Sequence, residues 1–142
     1  MKKLNALGIA TAVVGVLIIL TPVILPVCEG LLELTNGKQV PMRCFWTARA
    51  EMIIGGLIAI TGLMIAFLKS AEARRRLNHQ VALLGVVTIL TPLFIIPTCT
   101  HPDMACNLGT KPALIILGAV TLGLGLYGSR TPEPEISDHT IS

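Results

Sequence analysis

Charge is what this sequence has least of. Only 13% of its 142 residues are Asp, Glu, Lys or Arg, well below the roughly 25% a soluble domain carries to solvate its surface. Between Lys3 and Glu29 there is no charge at all. Hydrophobic residues make up 53% of the chain, and the mean hydropathy is +0.77. One compact soluble fold of this composition would turn large apolar patches to water and aggregate. These figures exclude a large soluble catalytic domain, a nucleic-acid reader and an intrinsically disordered chain. Also missing are a phosphate-binding glycine loop, a His-Glu-x-x-His pair and a Ser-His-Asp set, so nothing marks an energy-coupling domain and no cofactor is implied.

What remains is apolar length. Four runs stand out, Leu4 to Val27, Met52 to Leu68, Val81 to Ile96 and Pro112 to Tyr127. A spanning helix needs about 20 mostly apolar residues. The last three runs are short for that, and flanks such as Thr47 to Glu51 and Leu77 to Gln80 lengthen them, since long side chains can snorkel to the interface. The chain therefore reads as an all-α membrane protein of four transmembrane helices, with a four-helix domain over residues 1–128 and a flexible tail over 129–142 that holds Pro132, Glu133, Pro134 and Glu135. Lys2 and Lys3 before an apolar run have the layout of a secretory signal. Leu25, Pro26, Val27 and Cys28 offer no small-residue cleavage site and fit a lipoprotein signal poorly. The run is also long for a signal core, and it is read as a retained first helix.

Basic residues set the expected orientation. Lys2, Lys3, Lys69, Arg74 to Arg76 and Arg130 place seven on one side, against four on the other, Lys38, Arg43, Arg49 and Lys111. Glu29, Glu33, Glu51 and Asp103 balance the smaller set. Both termini are thus expected in the cytoplasm of a multi-pass inner (plasma) membrane protein, with the cysteine loops outside.

The two halves repeat. Gly15 to Pro22 reads GVLIILTP and Gly85 to Pro92 reads GVVTILTP; each leads to a Pro-x-Cys, then to a polar loop ending in Met-x-Cys. Gly55 and Gly62 match Gly118 and Gly125, and Gly8 and Gly15 share their seven-residue spacing. The chain is a tandem helical hairpin, with repeats over about 4–68 and 77–127, related by a pseudo-twofold axis along the membrane normal. Glycines seven apart share one helix face and permit close helix contact. Thr21-Pro22 and Thr91-Pro92 each remove an internal hydrogen bond and should kink or loosen the outer ends of helices one and three.

All four cysteines lie in the two outward loops. Fifteen residues separate Cys28 from Cys44, and six separate Cys99 from Cys106. Three uses compete. Structural disulfides come first, because thiols oxidise outside the cytoplasm; the duplication favours Cys28–Cys44 with Cys99–Cys106. A redox relay passing electrons from thiols to quinone comes next, since such four-helix oxidases also carry two cysteine pairs in outward loops. Those enzymes usually use Cys-x-x-Cys, a spacing this chain lacks. Metal binding comes third, with Met42, Cys44, His101, Met104 and Cys106 as soft ligands suited to copper(I).

Other residues have plainer readings. Trp46 with Arg49 looks like an interfacial anchor. Glu51 is expected to pair with Arg49 or Arg43 at the interface, or else to turn into the bundle as a functional carboxylate. Arg74 to Arg76 satisfy the inside-charge rule and could touch anionic lipid. His79 reads as solvated, and His139 lies in the tail.

The segment Pro41 to Glu51, PMRCFWTARAE, resembles a bacterial family described as domain-of-unknown-function family 4418, and the resemblance covers residues 4–128. It implies a small four-helix membrane protein with this Met-x-Cys before helix two. Phe45 stands where the family pattern often has His, which weakens a metal site at Cys44. The family's association with export-type ABC permeases implies an accessory subunit. No activity comes with the resemblance. The chain is therefore expected to be a non-enzymatic interaction subunit that touches membrane lipid and a membrane-protein partner, or forms a homo-oligomer through its glycine faces. It is not expected to bind nucleic acid. A quinone-coupled thiol oxidoreductase and a copper-binding protein are the alternatives.

Overall fold

Each apolar run forms one helix, and each helix begins or ends in residues that hydropathy alone assigns to a loop. The computed structural model describes residues 2–25, 30–98 and 102–131. In order these form α1 (Lys2–Ile24), a two-stranded hairpin of β1 (Leu31–Glu33) and β2 (Gln39–Pro41), α2 (Arg43–Phe67) and α3 (Ala71–Leu90). A π-helical turn comes next (Thr91–Ile95), then a second (Cys106–Thr110) that runs into α4 (Lys111–Arg130). Counting each π turn with its helix, α2 to α4 offer 25-residue spans. At about 1.5 Å per residue these exceed the roughly 30 Å hydrocarbon core. This is a multi-pass membrane protein.

The boundaries differ from the hydropathy reading in two places. Helix α2 starts at Arg43, well before Met52, and α3 starts at Ala71, well before Val81. Arg74 to Arg76 therefore belong to the first turns of α3, and the α2–α3 connection is only Leu68, Lys69 and Ser70. The first polar loop holds the β-hairpin, whose strands pair Leu31 with Pro41 and Glu33 with Gln39. Gly37 turns it with φ of 74°, a left-handed conformation that glycine adopts without strain.

The glycine stripes dictate how the helices pair. A Cβ on Gly15 would lie 2.5 Å from the Ala59 nitrogen and 2.7 Å from the Gly55 carbonyl oxygen; one on Gly85 would lie 2.5 Å from the Leu122 nitrogen and 2.9 Å from the Gly118 oxygen. Gly8 meets Gly62 in the first half. Asn78 takes the place of Gly8 in the second, and its side chain covers Gly128. The two hairpins, α1–α2 and α3–α4, are thus zipped by equivalent contacts, as the repeat requires. These glycine faces are consumed inside each hairpin, which leaves them closed to the homo-oligomer expected to use them.

The hairpins meet through α1 with α4 and α2 with α3. Between them Ile18, Ile58 and Leu114 form a core, flanked by Val14, Ile54, Leu84 and Leu117. The polarity is that of a protein dissolved in lipid. Ile9, Val13, Ile53, Ile60, Leu83 and Ile116 face outward, whereas Thr11, Thr61, Thr88 and Thr121 are buried. Each of these threonines donates to the carbonyl four residues back, so its hydroxyl is satisfied without water.

Both π turns arise from single-residue insertions in the second half. Pro22 and Pro92 correspond, but Pro26 is matched by Pro97, one residue further on. Likewise Cys44 precedes Gly55 by eleven residues, and Cys106 precedes Gly118 by twelve. The first extra residue is absorbed at Thr91–Ile95 and the second at Cys106–Thr110. A π turn is the local widening by which a helix accommodates an added residue. Pro92 contributes to the first one, since it has no amide to offer the Thr88 carbonyl. In α1, Pro22 stays inside the helix.

Candidate functional site

Cys44 and Cys106 lie at one end of the bundle, and Arg74 to Arg76 and Arg130 at the other. At the cysteine end, Cys44 opens α2 and Cys106 opens the second π turn. They are 2% and 1% exposed, and their sulfurs lie 3.3 Å apart. Periodicity explains why both point inward. Eleven residues of α-helix leave Cys44 only ~20° from the face of Gly55, whereas twelve would turn Cys106 ~120° from Gly118. The π turn absorbs the extra residue and returns Cys106 to the inward face. The contact joins the two halves of the chain. The pairs suggested by spacing, Cys28–Cys44 and Cys99–Cys106, each have one member outside the described residues.

Deeper on the same face of α2 come Thr47 and Glu51. The Thr47 hydroxyl donates to the Ile96 carbonyl at 3.0 Å, tying α2 to the end of the first π turn. Glu51 is 0% exposed. The Thr91 hydroxyl faces it, but gives its proton to the Val87 carbonyl at 2.8 Å. Both Glu51 carboxyl oxygens, and the buried Thr110 hydroxyl, have no hydrogen-bond partner.

The expected interfacial pairing of Glu51 with Arg49 or Arg43 does not form. Arg49 instead lies over the Phe45 ring, 5.2 Å from its centroid, a cation–π contact. Trp46 stands edge-on to Phe45 at 5.8 Å and is exposed, as an interfacial aromatic would be. Phe45 is thus the platform of the anchor. Glu51 takes the other course and turns into the bundle.

Of the metal candidates, Cys44 and Cys106 are in contact. Among the described residues no three His, Cys, Asp or Glu side chains come together as a metal site. His101 lies outside those residues; Met42 and Met104 are half-buried, and Met42 packs over Gly30. At the arginine end, Arg74 is buried rather than turned to lipid, while Arg75 and Arg76 are exposed. His79 is exposed too, as its sequence context suggests.

No chemical motif singles out Thr47, Thr91, Arg74 or Asn78. The signal for Thr47 is its place one turn from both Cys44 and Glu51. Thr91 reads in the sequence only as part of a helix-loosening Thr-Pro pair. No curated protein and no solved structure gives a match to the chain. The family model that does match covers residues 11–128 and is described as a domain of unknown function, DUF4418. With four membrane-length helices in two glycine-zipped hairpins and the Met-x-Cys segment at the head of α2, the chain belongs to this DUF4418 family.

Proposed function

We propose that the protein is a non-enzymatic accessory or interaction subunit of a membrane complex, such as an export-type ABC transporter. The observation that carries this reading is the hairpin at the cysteine end. Leu31, Leu34 and Val40 are 56%, 46% and 39% exposed there, outside the membrane-length helices. Large apolar side chains exposed on both faces of such a projection, Leu31 on one and Val40 on the other, mark a contact surface. The sulfur pair supports the same reading, because thiol exchange with a substrate protein needs an accessible thiolate. A bridge between Cys44 and Cys106 would instead staple the two halves beneath the hairpin. Two thiols would give up two protons and two electrons to an extracytoplasmic oxidant. The contact adds this pairing to the two within-half pairs, whose other members lie outside the described residues.

A thiol oxidoreductase is the second reading, since the Cys44–Cys106 contact supplies a dithiol that the sequence does not show as Cys-x-x-Cys. One set of variants separates the two. Purified in mild detergent from its own membranes, the protein should bring down a membrane partner that the Leu31→Ser, Val40→Ser double variant loses. Cys44→Ser should melt lower and trap no mixed disulfide. Retention of every partner by the hairpin variant would sink the subunit reading. Unchanged melting with a trapped disulfide partner would establish the oxidoreductase.

A further inference from the structure

We propose that Glu51 and Thr91 form a proton-binding site inside the bundle, at the break where Thr91–Pro92 opens α3 into a π turn. The geometry rests on three observations. Glu51 is fully buried, and neither of its carboxyl oxygens has a hydrogen-bond partner. The group facing it, the Thr91 hydroxyl, has already given its proton to Val87. It therefore presents lone pairs. Two acceptors facing each other in a dry interior attract nothing to one another, and a proton between them converts the pair into an O–H···O hydrogen bond. The carboxyl carries that proton on Oε and donates it to Thr91 Oγ1.

A proton also suits the site better than a larger cation. It needs one acceptor, which Thr91 supplies, whereas a sodium ion needs a cage of oxygens. The neighbours of Glu51 on its own face are Thr47, Ala48, Gly55 and Ile58, which bring one side-chain oxygen, the Thr47 hydroxyl that donates to the Ile96 carbonyl, and no cage. Among the described residues no cation on the surrounding elements takes the place of the proton. On α2 itself the inward titratable group is Cys44, and at the outer end of α4 the nearest are Cys106 and Lys111. Helix α1 has no titratable residue beyond Lys3, and α3 has none between His79 and the π turn. A carboxylate left bare there would be an uncompensated buried charge. Release of the proton to water consequently requires the π turn to move away from α2. Irregular helix at membrane depth opposite an ionisable side chain is the arrangement by which transporters bind coupling ions. The site thus links protonation to the packing of the two hairpins, and it stands whether or not the subunit reading holds.

The test uses dicyclohexylcarbodiimide, which attacks protonated carboxyl groups in apolar surroundings, on the full chain in its native membranes. Peptide mapping should find Glu51 modified, with labelling lost as pH rises and unaffected by excess sodium chloride. Glu51→Gln should abolish the label but keep the parent's melting temperature, because an amide N–H can donate to Thr91 as the acid does. Its melting should also lose any dependence on pH that the parent shows over the labelling range. Thr91→Val, which removes the acceptor at nearly constant volume, should shift the pH at which labelling is lost. Failure to label Glu51 at any pH would overturn the proposal. So would protection by sodium, or a Glu51→Gln variant that melts far below the parent.

Discussion

Arg74 is 7% exposed, and its guanidinium holds two other helices. Nε donates to the Ile65 carbonyl at 3.0 Å and Nη2 to the Asn5 side chain at 2.8 Å. Ile65 lies in the last turn of α2, where carbonyls lack an amide from their own helix, and a cation there also meets the negative end of the helix dipole. Arg76 differs entirely: its contact with Glu72 is an exposed i,i+4 pair at 2.6 Å, and such pairs contribute little. Arg74→Ala should therefore cost about 1–3 kcal/mol, because it leaves the buried Ile65 carbonyl unpaired. Arg75→Ala and Arg76→Ala should stay within about 0.5 kcal/mol of the parent. Arg74→Lys should fall between, since an ammonium lacks the fork that reaches both acceptors. Thermal melts of the four purified variants decide the matter. Equal losses at Arg74 and Arg76 would refute the assignment.

At the scale of elements, the two π turns make a prediction that an ordinary helix would not. Each absorbs one extra residue relative to the first half, so removing that residue should restore α-helical periodicity and leave the downstream residues on their present faces. Deletion of exposed Phe94, or of exposed Leu108, should leave a folded protein that loses no more than the about 0.5–3 kcal/mol of an ordinary substitution. Deletion of Val120, within α4, should rotate the rest of the helix by ~100° and take Gly125 away from Ala82, which it meets in the parent. That variant should yield no monodisperse protein on size-exclusion chromatography. Three equally damaged variants would show that the π turns are not insertions. The one-residue mismatch between Met-x-Cys and the glycine spacing is written in the sequence, as are the spans and the repeat, because all depend on order along the chain. Other features depend on packing. Arg49 and Arg74 look like loop charges until a ring or a neighbouring helix receives them. The strands Leu31–Glu33 and Gln39–Pro41 are three residues each, too short for alternation to show. Cys44 and Cys106 are 62 positions apart, and spacing favours nearer partners. Only the docking of one hairpin on the other brings these two together.

The whole molecule is a pseudo-symmetric bundle whose two ends differ in charge. The helix order gathers Lys2, Lys69, Arg75, Arg76 and Arg130 with buried Arg74 at one end, and Lys38, Arg43, Arg49 and Lys111 at the other. Setting Arg74 aside because it is committed to α1 and α2, the arginine end keeps six basic residues, Lys3 included, against four. Arg49 is moreover held over an aromatic ring at the cysteine end. Since the bias counts Lys and Arg in short loops near the spans, the arginine end should face the cytoplasm. Two positions report on it from exposed sites, Asn36 at the tip of the β-hairpin and Ser70 in the α2–α3 connection. With the four native cysteines replaced by Ala, Asn36→Cys should react with a membrane-impermeant maleimide in intact cells. Ser70→Cys should react only after the membrane is permeabilised. A fluorescent protein fused after Arg130 on the otherwise unaltered chain, one that matures only in the cytoplasm, should glow and so gives the same answer with every cysteine in place. Labelling of Ser70→Cys in intact cells together with a dark fusion would invert the molecule. The sulfur pair would then lie in a reducing compartment, where a bridge between Cys44 and Cys106 would not persist.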